Sequence, residues 1–300
     1  MLLLNKYKNI LLLFLLSLIW SLHFSLVKIV EADNNPLSIL IPLLFILCIF
    51  FYFILVLKKQ LFKLTIRKCI FFSLAGIFAY ITPLSIGFIV APKIEVGILT
   101  LIISSVPIFT LLIVWLFRLL NVTTKLVIGT FFGLFGISIL LIGNDYSNTS
   151  LNIWTIFALI IPLSYAFDAI FMEKFWPKNL NTLQVAFGEC VASLIFVILL
   201  SFFLENEFYH YYQWFLLPSF WILAIVTFIE VWLFFYVLSN FGAVFVNLGS
   251  YLVMPAGFVW GYIFFGESFT PLKFICTILI VISILLIGNQ KYKIKNIPIE

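Results

Sequence analysis

Eight residues, Ile137-Ser138-Ile139-Leu140-Leu141-Ile142-Gly143-Asn144, return letter for letter at Ile282 to Asn289. Each copy follows an apolar stretch with a Pro near its middle, Pro107 or Pro255, and a Thr that opens the terminal helix, Thr123 or Thr270. Ile and Leu are so frequent in this chain that the matched letters alone would mean little; the matched position within each half marks an internal duplication. A duplicated chain folds as two related units, and two related membrane halves are the usual build of a carrier.

The membrane assignment follows from the apolar runs. Hydrophobic residues make up 64% of the 300, charged residues 10%, and mean hydropathy is +1.24. Runs long enough to cross a hydrocarbon core recur from end to end. Bounded by polar and turn residues, they predict helices over residues 9–31, 37–57, 69–90, 95–117, 125–143, 152–174, 181–204, 215–239, 241–265 and 271–289. The fold class is therefore an all-α polytopic membrane protein with ten transmembrane helices, and the stretch after Lys8 reads as the first span and not as a cleaved leader.

Basic residues orient those spans. With the amino terminus cytoplasmic, all 17 Lys and Arg except Lys28, Lys93 and Lys273 fall on the inner side. The positive-inside bias thus places both termini in the cytoplasm. Five helices per half is an odd number, so the second copy enters the bilayer reversed and the repeats are inverted. The division falls in the polar linker Asn144 to Asn152, with a first repeat over residues 1–146 and a second over 147–300. Cys48, Cys69, Cys190 and Cys276 lie in or at the ends of apolar runs with no close pairing, and read as small buried hydrophobes.

Local motifs add a resemblance. Helix one carries Trp20-Ser21-Leu22-His23-Phe24 and then Lys28, helix six carries Ser164-Tyr165-Ala166-Phe167 with Glu173-Lys174, and helix nine opens at Phe241-Gly242-Ala243. Ser250-Tyr251-Leu252-Val253-Met254-Pro255 and Phe265-Gly266-Glu267-Ser268-Phe269-Thr270 follow. Together these strings resemble the drug/metabolite transporter superfamily, in particular its EamA-type ten-helix carriers, over nearly the whole chain. Two departures stand out: Ser21 replaces a Gly, and the first half has Arg118-Leu119-Leu120-Asn121 where the second has its Gly-Glu. The resemblance implies transport of a small organic solute, with S-adenosylmethionine-type uptake as one version it permits.

The residues themselves point to a site. An ionisable side chain in a span costs about 2.5–3.5 kcal/mol by insertion scales, so each one calls for a reason. Asp168, Glu189 and Glu230 qualify. At about 1.5 Å per residue they lie roughly 9, 12 and 13 Å from the cytoplasmic ends of helices six, seven and eight. No Lys or Arg of the second half shares that depth. Burial and like charge both oppose ionisation, so such a group carries a proton or attracts a cation. The same acids could instead be hydrogen-bonded structural groups, and sequence leaves both readings open. His23 is either a proton relay or a packed residue. Lys28 is either paired with Glu31 on the same helix face or an anion anchor at the outer mouth.

Trp20, Tyr80, Tyr165, Trp232, Tyr236, Tyr251 and Trp260 fall inside spans, where an aromatic wall beside carboxyls would suit a cationic or ring-bearing solute. From these, the candidate substrate-binding or proton-coupling set is Glu189, Glu230, Asp168, Trp20, His23, Tyr80, Trp232 and Tyr251. Pro83, Pro107 and Pro255 interrupt helices, and the repeat-related pair Pro107 and Pro255 is the candidate hinge or cavity lining. Glu267 reads as a loop anchor, and Gly129 and Gly133 as a close helix contact.

The function predicted is a secondary transporter of a small organic metabolite, such as an amino acid, an amine or a nucleoside-like solute, working by alternating access with proton coupling or exchange. A headgroup flippase of the same fold is the alternative. A membrane-embedded enzyme would need paired His, a metal-ligand cluster or an activated nucleophile, and His23 and His210 are far apart in sequence. The chain also lacks a phosphate-binding Gly-x-x-x-x-Gly-Lys motif. No cofactor, metal or nucleic-acid partner is expected; the expected partners are the solute and the lipid bilayer. Abundant Ile, Lys, Asn and Phe hint at an AT-rich bacterial genome, hence a bacterial plasma membrane location.

Overall fold

A computed structural model describes residues 2–30, 36–94, 96–119, 121, 123–143, 153–203, 211–268 and 270–287, and those residues contain helices and no strand. The first half comprises α1 (Leu2–Val30), α2 (Pro36–Leu57), α3 (Ile66–Gly76), a π-helical turn (Ile77–Ile81), α4 (Thr82–Val90), a 3-10 turn (Ala91–Lys93), α5 (Val96–Ile103), α6 (Val106–Leu116) and α7 (Thr124–Gly143). The second comprises α8 (Ile153–Ala158), α9 (Ile160–Phe175), α10 (Thr182–Phe203), α11 (Tyr211–Trp214), α12 (Pro218–Phe241), α13 (Ala243–Phe265) and α14 (Pro271–Ile287). Among the described residues, seven stretches are long and apolar enough to cross a membrane: Ile10–Val30, Ser38–Leu57, Ile66–Lys93, Ile153–Phe175, Thr182–Phe202, Pro218–Phe241 and Ala243–Phe265. Shorter apolar helices occupy the other predicted segments.

The outside is as apolar as the inside. Phe14, Phe45, Phe53, Trp115, Phe131, Phe196, Ile225 and Ile278 all expose their side chains, and an apolar surface of that extent calls for lipid. Backbone polar groups in such an environment must be satisfied within the chain, which is why helices alone serve.

Counterpart segments of the two halves pack against each other and run antiparallel. Ser283 donates to the Gly129 carbonyl at 2.6 Å, while a side chain on Gly136 would meet the Cys276 carbonyl. As α7 ascends from 129 to 136, α14 descends from 283 to 276. The same crossing holds between α5, α6 and α13, where Thr100 abuts Gly257 and Asn247 donates to Thr110 at 2.7 Å. It holds again between α2 and α10, where Tyr52 meets Phe187 at 5.9 Å and Gln184 donates to the Gln60 carbonyl at 2.7 Å. Segment ends assigned by charge to one side also meet. Lys93 lies 3.7 Å from the centroid of Trp154 and Lys28 lies 4.7 Å from that of Phe265, while Glu173 accepts from the backbone N–H of Ala243. Lys28 therefore has an aromatic neighbour; Glu31 lies outside the described residues.

Helix interruptions differ from the expected kinks. Pro107 is not inside a helix: the fourth segment breaks at Ser104 and Ser105, and Pro107 sits in the first turn of α6, where a missing N–H costs nothing. The serines turn their hydroxyls back onto the Thr100 and Ile102 carbonyls at 2.7 and 2.6 Å. Pro255 does lie inside α13, which continues past it. Gly266, at φ 65°, ends that helix in a left-handed cap with Glu267 N–H bonding the Gly261 carbonyl at 3.1 Å. The Glu267 side chain folds back over Gly261, as a loop anchor does.

Candidate functional site

A cavity lies where the halves meet, with α1, the π turn and α4 on one side and α9, α10 and α12 on the other. Its empty space, counted together with its open mouth, is about 500 Å³. Trp20, His23, Tyr80, Asp168, Glu189 and Glu230 all line it, with Leu16, Leu84, Tyr165, Thr227 and Phe234 between them. Three carboxyls placed on three helices by sequence depth are thus brought to one space, and among the described residues no Lys or Arg lines it.

The first-half wall is shaped by Pro83. A Pro has no N–H for the carbonyl one turn back, and the hydrogen-bond ladder slips by one residue ahead of it. The Thr82 N–H reaches back to the Ile77 carbonyl, which makes Ile77–Ile81 a π turn. The widened turn leaves the Phe78 carbonyl available, and Ser164 on α9 donates to it at 2.7 Å. This bond ties α9, which carries Asp168 and Tyr165, to the turn that carries Ala79 and Tyr80. The Tyr80 hydroxyl receives the Cys190 thiol at 3.3 Å, next in sequence to Glu189 on α10.

His23 is oriented from α12. The Thr227 hydroxyl donates its one hydrogen to the Leu223 carbonyl at 2.8 Å, so at 3.0 Å from His23 Nδ1 it accepts. With the Thr227 hydrogen committed to Leu223, the hydrogen of this bond sits on His23 Nδ1. Glu230, one turn further along α12, brings Oε2 to 3.0 Å from the same nitrogen, flanking the Thr227 bond without an aligned hydrogen bond of its own. His23 Nε2 is buried and finds no hydrogen-bond partner among the described residues.

Asp168 and Glu189 are 1% and 0% exposed. Asp168 Oδ1 and both Glu189 carboxyl oxygens find no hydrogen-bond partner among the described residues. Buried polar atoms are nearly always satisfied, so a cluster of open acceptors around one cavity marks a place for something else to bind. Trp20 meets Tyr165 edge-on at 5.2 Å and Phe234 at 6.3 Å, which builds an aromatic wall beside the acids.

Two candidates lie elsewhere. Trp232 is 41% exposed and tilts over Tyr236 at 6.0 Å, on the outer face of α12. It is two residues from Glu230, and two residues carry a helix most of the way round to its far face. Tyr251 is fully buried but faces α7, with its ring on Gly133 and its hydroxyl donating to the Thr130 carbonyl at 3.3 Å. Gly133 therefore accommodates an aromatic ring. Neither proline of the hinge pair lines the main cavity; Pro107 borders a smaller apolar pocket with Thr110, Leu126 and Val244. Sequence reasoning overlooked Thr227. A signal was available, because Thr227 lies three residues before Glu230 on the same helix face. Among the described residues no cluster of His, Cys, Asp and Glu could hold a metal ion.

A family model described as the EamA-like transporter family matches residues 7–142 and again 152–289. A solved crystal structure resembles the chain with a TM-score of 0.65 at 16% identity, over 94% of this chain and 97% of the other. At that identity the likeness shows the fold alone. A search of curated proteins finds no match.

Proposed function

The chain belongs to the EamA-like transporter family, a multi-pass membrane transporter family with two repeats here, and from that premise we propose that it is a secondary carrier of a small, positively charged organic solute. In this reading ten crossings form two inverted halves, residues 1–146 and 147–300, with both termini in the cytoplasm of a bacterial cell. Antiparallel packing of counterpart segments supports the inversion. The observation that carries the substrate reading is the cavity itself: Asp168, Glu189 and Glu230 share it, and no Lys or Arg does. Negative charge in a low-dielectric pocket attracts a cation far more strongly than in water. Because both halves line the cavity, rocking one against the other would expose it to either side in turn. An ammonium group would settle on the acids, and Trp20, Tyr165 and Phe234 would cover its apolar part by cation–π contact and packing.

The test is uptake into proteoliposomes of a mixed labelled pool of amines, amino acids, nucleosides and S-adenosylmethionine, with and without a pH gradient, for wild type and Glu230→Gln. Accumulation of a charged amine that the substitution abolishes is the expected result, and dependence on the gradient would add proton coupling. If nothing in the pool moves, or Glu230→Gln transports like wild type, the cation-carrier reading fails and headgroup translocation between leaflets becomes the next assay.

A further inference from the structure

The acids of the cavity form two poles. One is Asp168 with Glu189, on α9 and α10; both line the cavity, and three of their oxygens are open acceptors. The other is Glu230 on α12, which faces His23 and Thr227 and keeps Oε2 without an aligned hydrogen bond. Tyr165 lines the same cavity as both poles, and its ring joins Trp20 in the aromatic wall. The cavity therefore presents two sets of carboxyls, held by different helices, together with an aromatic surface.

The lining is as informative in what it withholds. A zwitterion brings a carboxylate, and the one basic side chain in the lining, His23, already stands 3.0 Å from Glu230. A substrate carboxylate would enter a space holding three others with no Lys or Arg to meet it. Like charges brought together in a desolvated pocket discriminate against the wrong ligand. The open atoms of the lining include one donor, Trp20 Nε1, against four carboxyl oxygens of Asp168, Glu189 and Glu230 that accept and donate none once ionised, and that excess of acceptors calls for an occupant rich in N–H.

Resting on the carrier reading above, we propose that the solute is an organic dication with no carboxylate: a diamine with one ammonium at Asp168 and Glu189, the other at Glu230, and its hydrocarbon middle on Trp20 and Tyr165. The two ammonium groups supply the donors that the orphaned oxygens lack. Zwitterionic amino acids are excluded as good substrates by the same geometry.

The experiment measures binding to the purified full-length chain in detergent for α,ω-diaminoalkanes of increasing length, for the monoamine of each length and for the ω-amino acid of each length. The best diamine should bind about tenfold or more tighter than its monoamine, and the ω-amino acid more weakly than the monoamine. Glu189→Gln and Glu230→Gln should each bring the diamine-to-monoamine ratio close to one, and because a ratio is compared within each variant, a general loss of folded protein does not mimic the effect. Equal binding of diamine and monoamine, or preferred binding of the ω-amino acid, would overturn the dication proposal and leave a cation carrier standing. Failure of every amine to bind, together with transport of a neutral or anionic solute, would remove both.

Discussion

Replacing Gly188 with Ala tests how tightly the cavity wall is built. Ala is the better helix former by about 1 kcal/mol, so on propensity alone the change should stabilise α10. The structure argues the opposite sign. A Cβ at 188 would lie 2.6 Å from Phe72 Cε1 and closer still to Cε2 and Cζ. Carbon atoms rest at about 3.5–4.0 Å, so roughly 1 Å of separation has to be found. Phe72 is buried between Phe62 and Phe71, with ring centroids 5.9 and 5.6 Å away, and has little room to turn. Overpacking of this kind costs about 1–3 kcal/mol, which meets or outweighs the propensity gain and leaves a net loss of up to about 2 kcal/mol. Because Glu189 is the next residue, moving α10 away from α3 also displaces a carboxyl of the site. The assay is thermal unfolding in detergent together with solute uptake, run as a double-mutant cycle with Phe72→Leu. A smaller, more flexible side chain at 72 should relieve the clash, making the double variant less damaged than the sum of the singles. A stabilised Gly188→Ala, or strict additivity with Phe72→Leu, would refute the reasoning.

Three further outcomes follow from the same contacts. Ser164→Ala should cost about 0.5–1.5 kcal/mol in unfolding, because the part-buried Phe78 carbonyl loses the donor that holds the π turn to α9; solute affinity should fall with it, since Tyr80 sits on that turn. Glu173→Ala should destabilise by about 0.5–2 kcal/mol, because the carboxylate accepts from the first N–H of α13, and Glu173→Gln should lose less by keeping an acceptor there; melting temperatures in detergent read the difference. Trp232→Leu, on an outward-facing position, should leave uptake unchanged and stability within about 0.5 kcal/mol, while Trp20→Leu on the cavity wall should impair uptake; equal effects of the two would contradict the placement of α12.

The amino-acid sequence by itself determined the membrane class, the duplication and the three acids, because each depends on quantities that survive without coordinates: run length against bilayer thickness, a repeated string, and the cost of charge in lipid. Asp168, Glu189 and Glu230 were visible for that last reason, and so was His23. Which way a side chain points was not. Helices surrounded by lipid outside and by apolar side chains inside show little difference between faces, so Trp20 and Trp232 look alike in sequence although one lines the cavity and the other faces outward. Likewise Tyr251 appeared to belong beside the acids until α13 placed it on Gly133. The π turn before Pro83 depends on a tertiary partner, since α9 supplies the Ser164 hydroxyl that donates to the Phe78 carbonyl, whereas the serines at the break return their hydroxyls to Thr100 and Ile102 of the same segment. Only tertiary packing chose which acids share a space, because facing across separate helices is set by how neighbouring surfaces fit, and no local pattern records that fit.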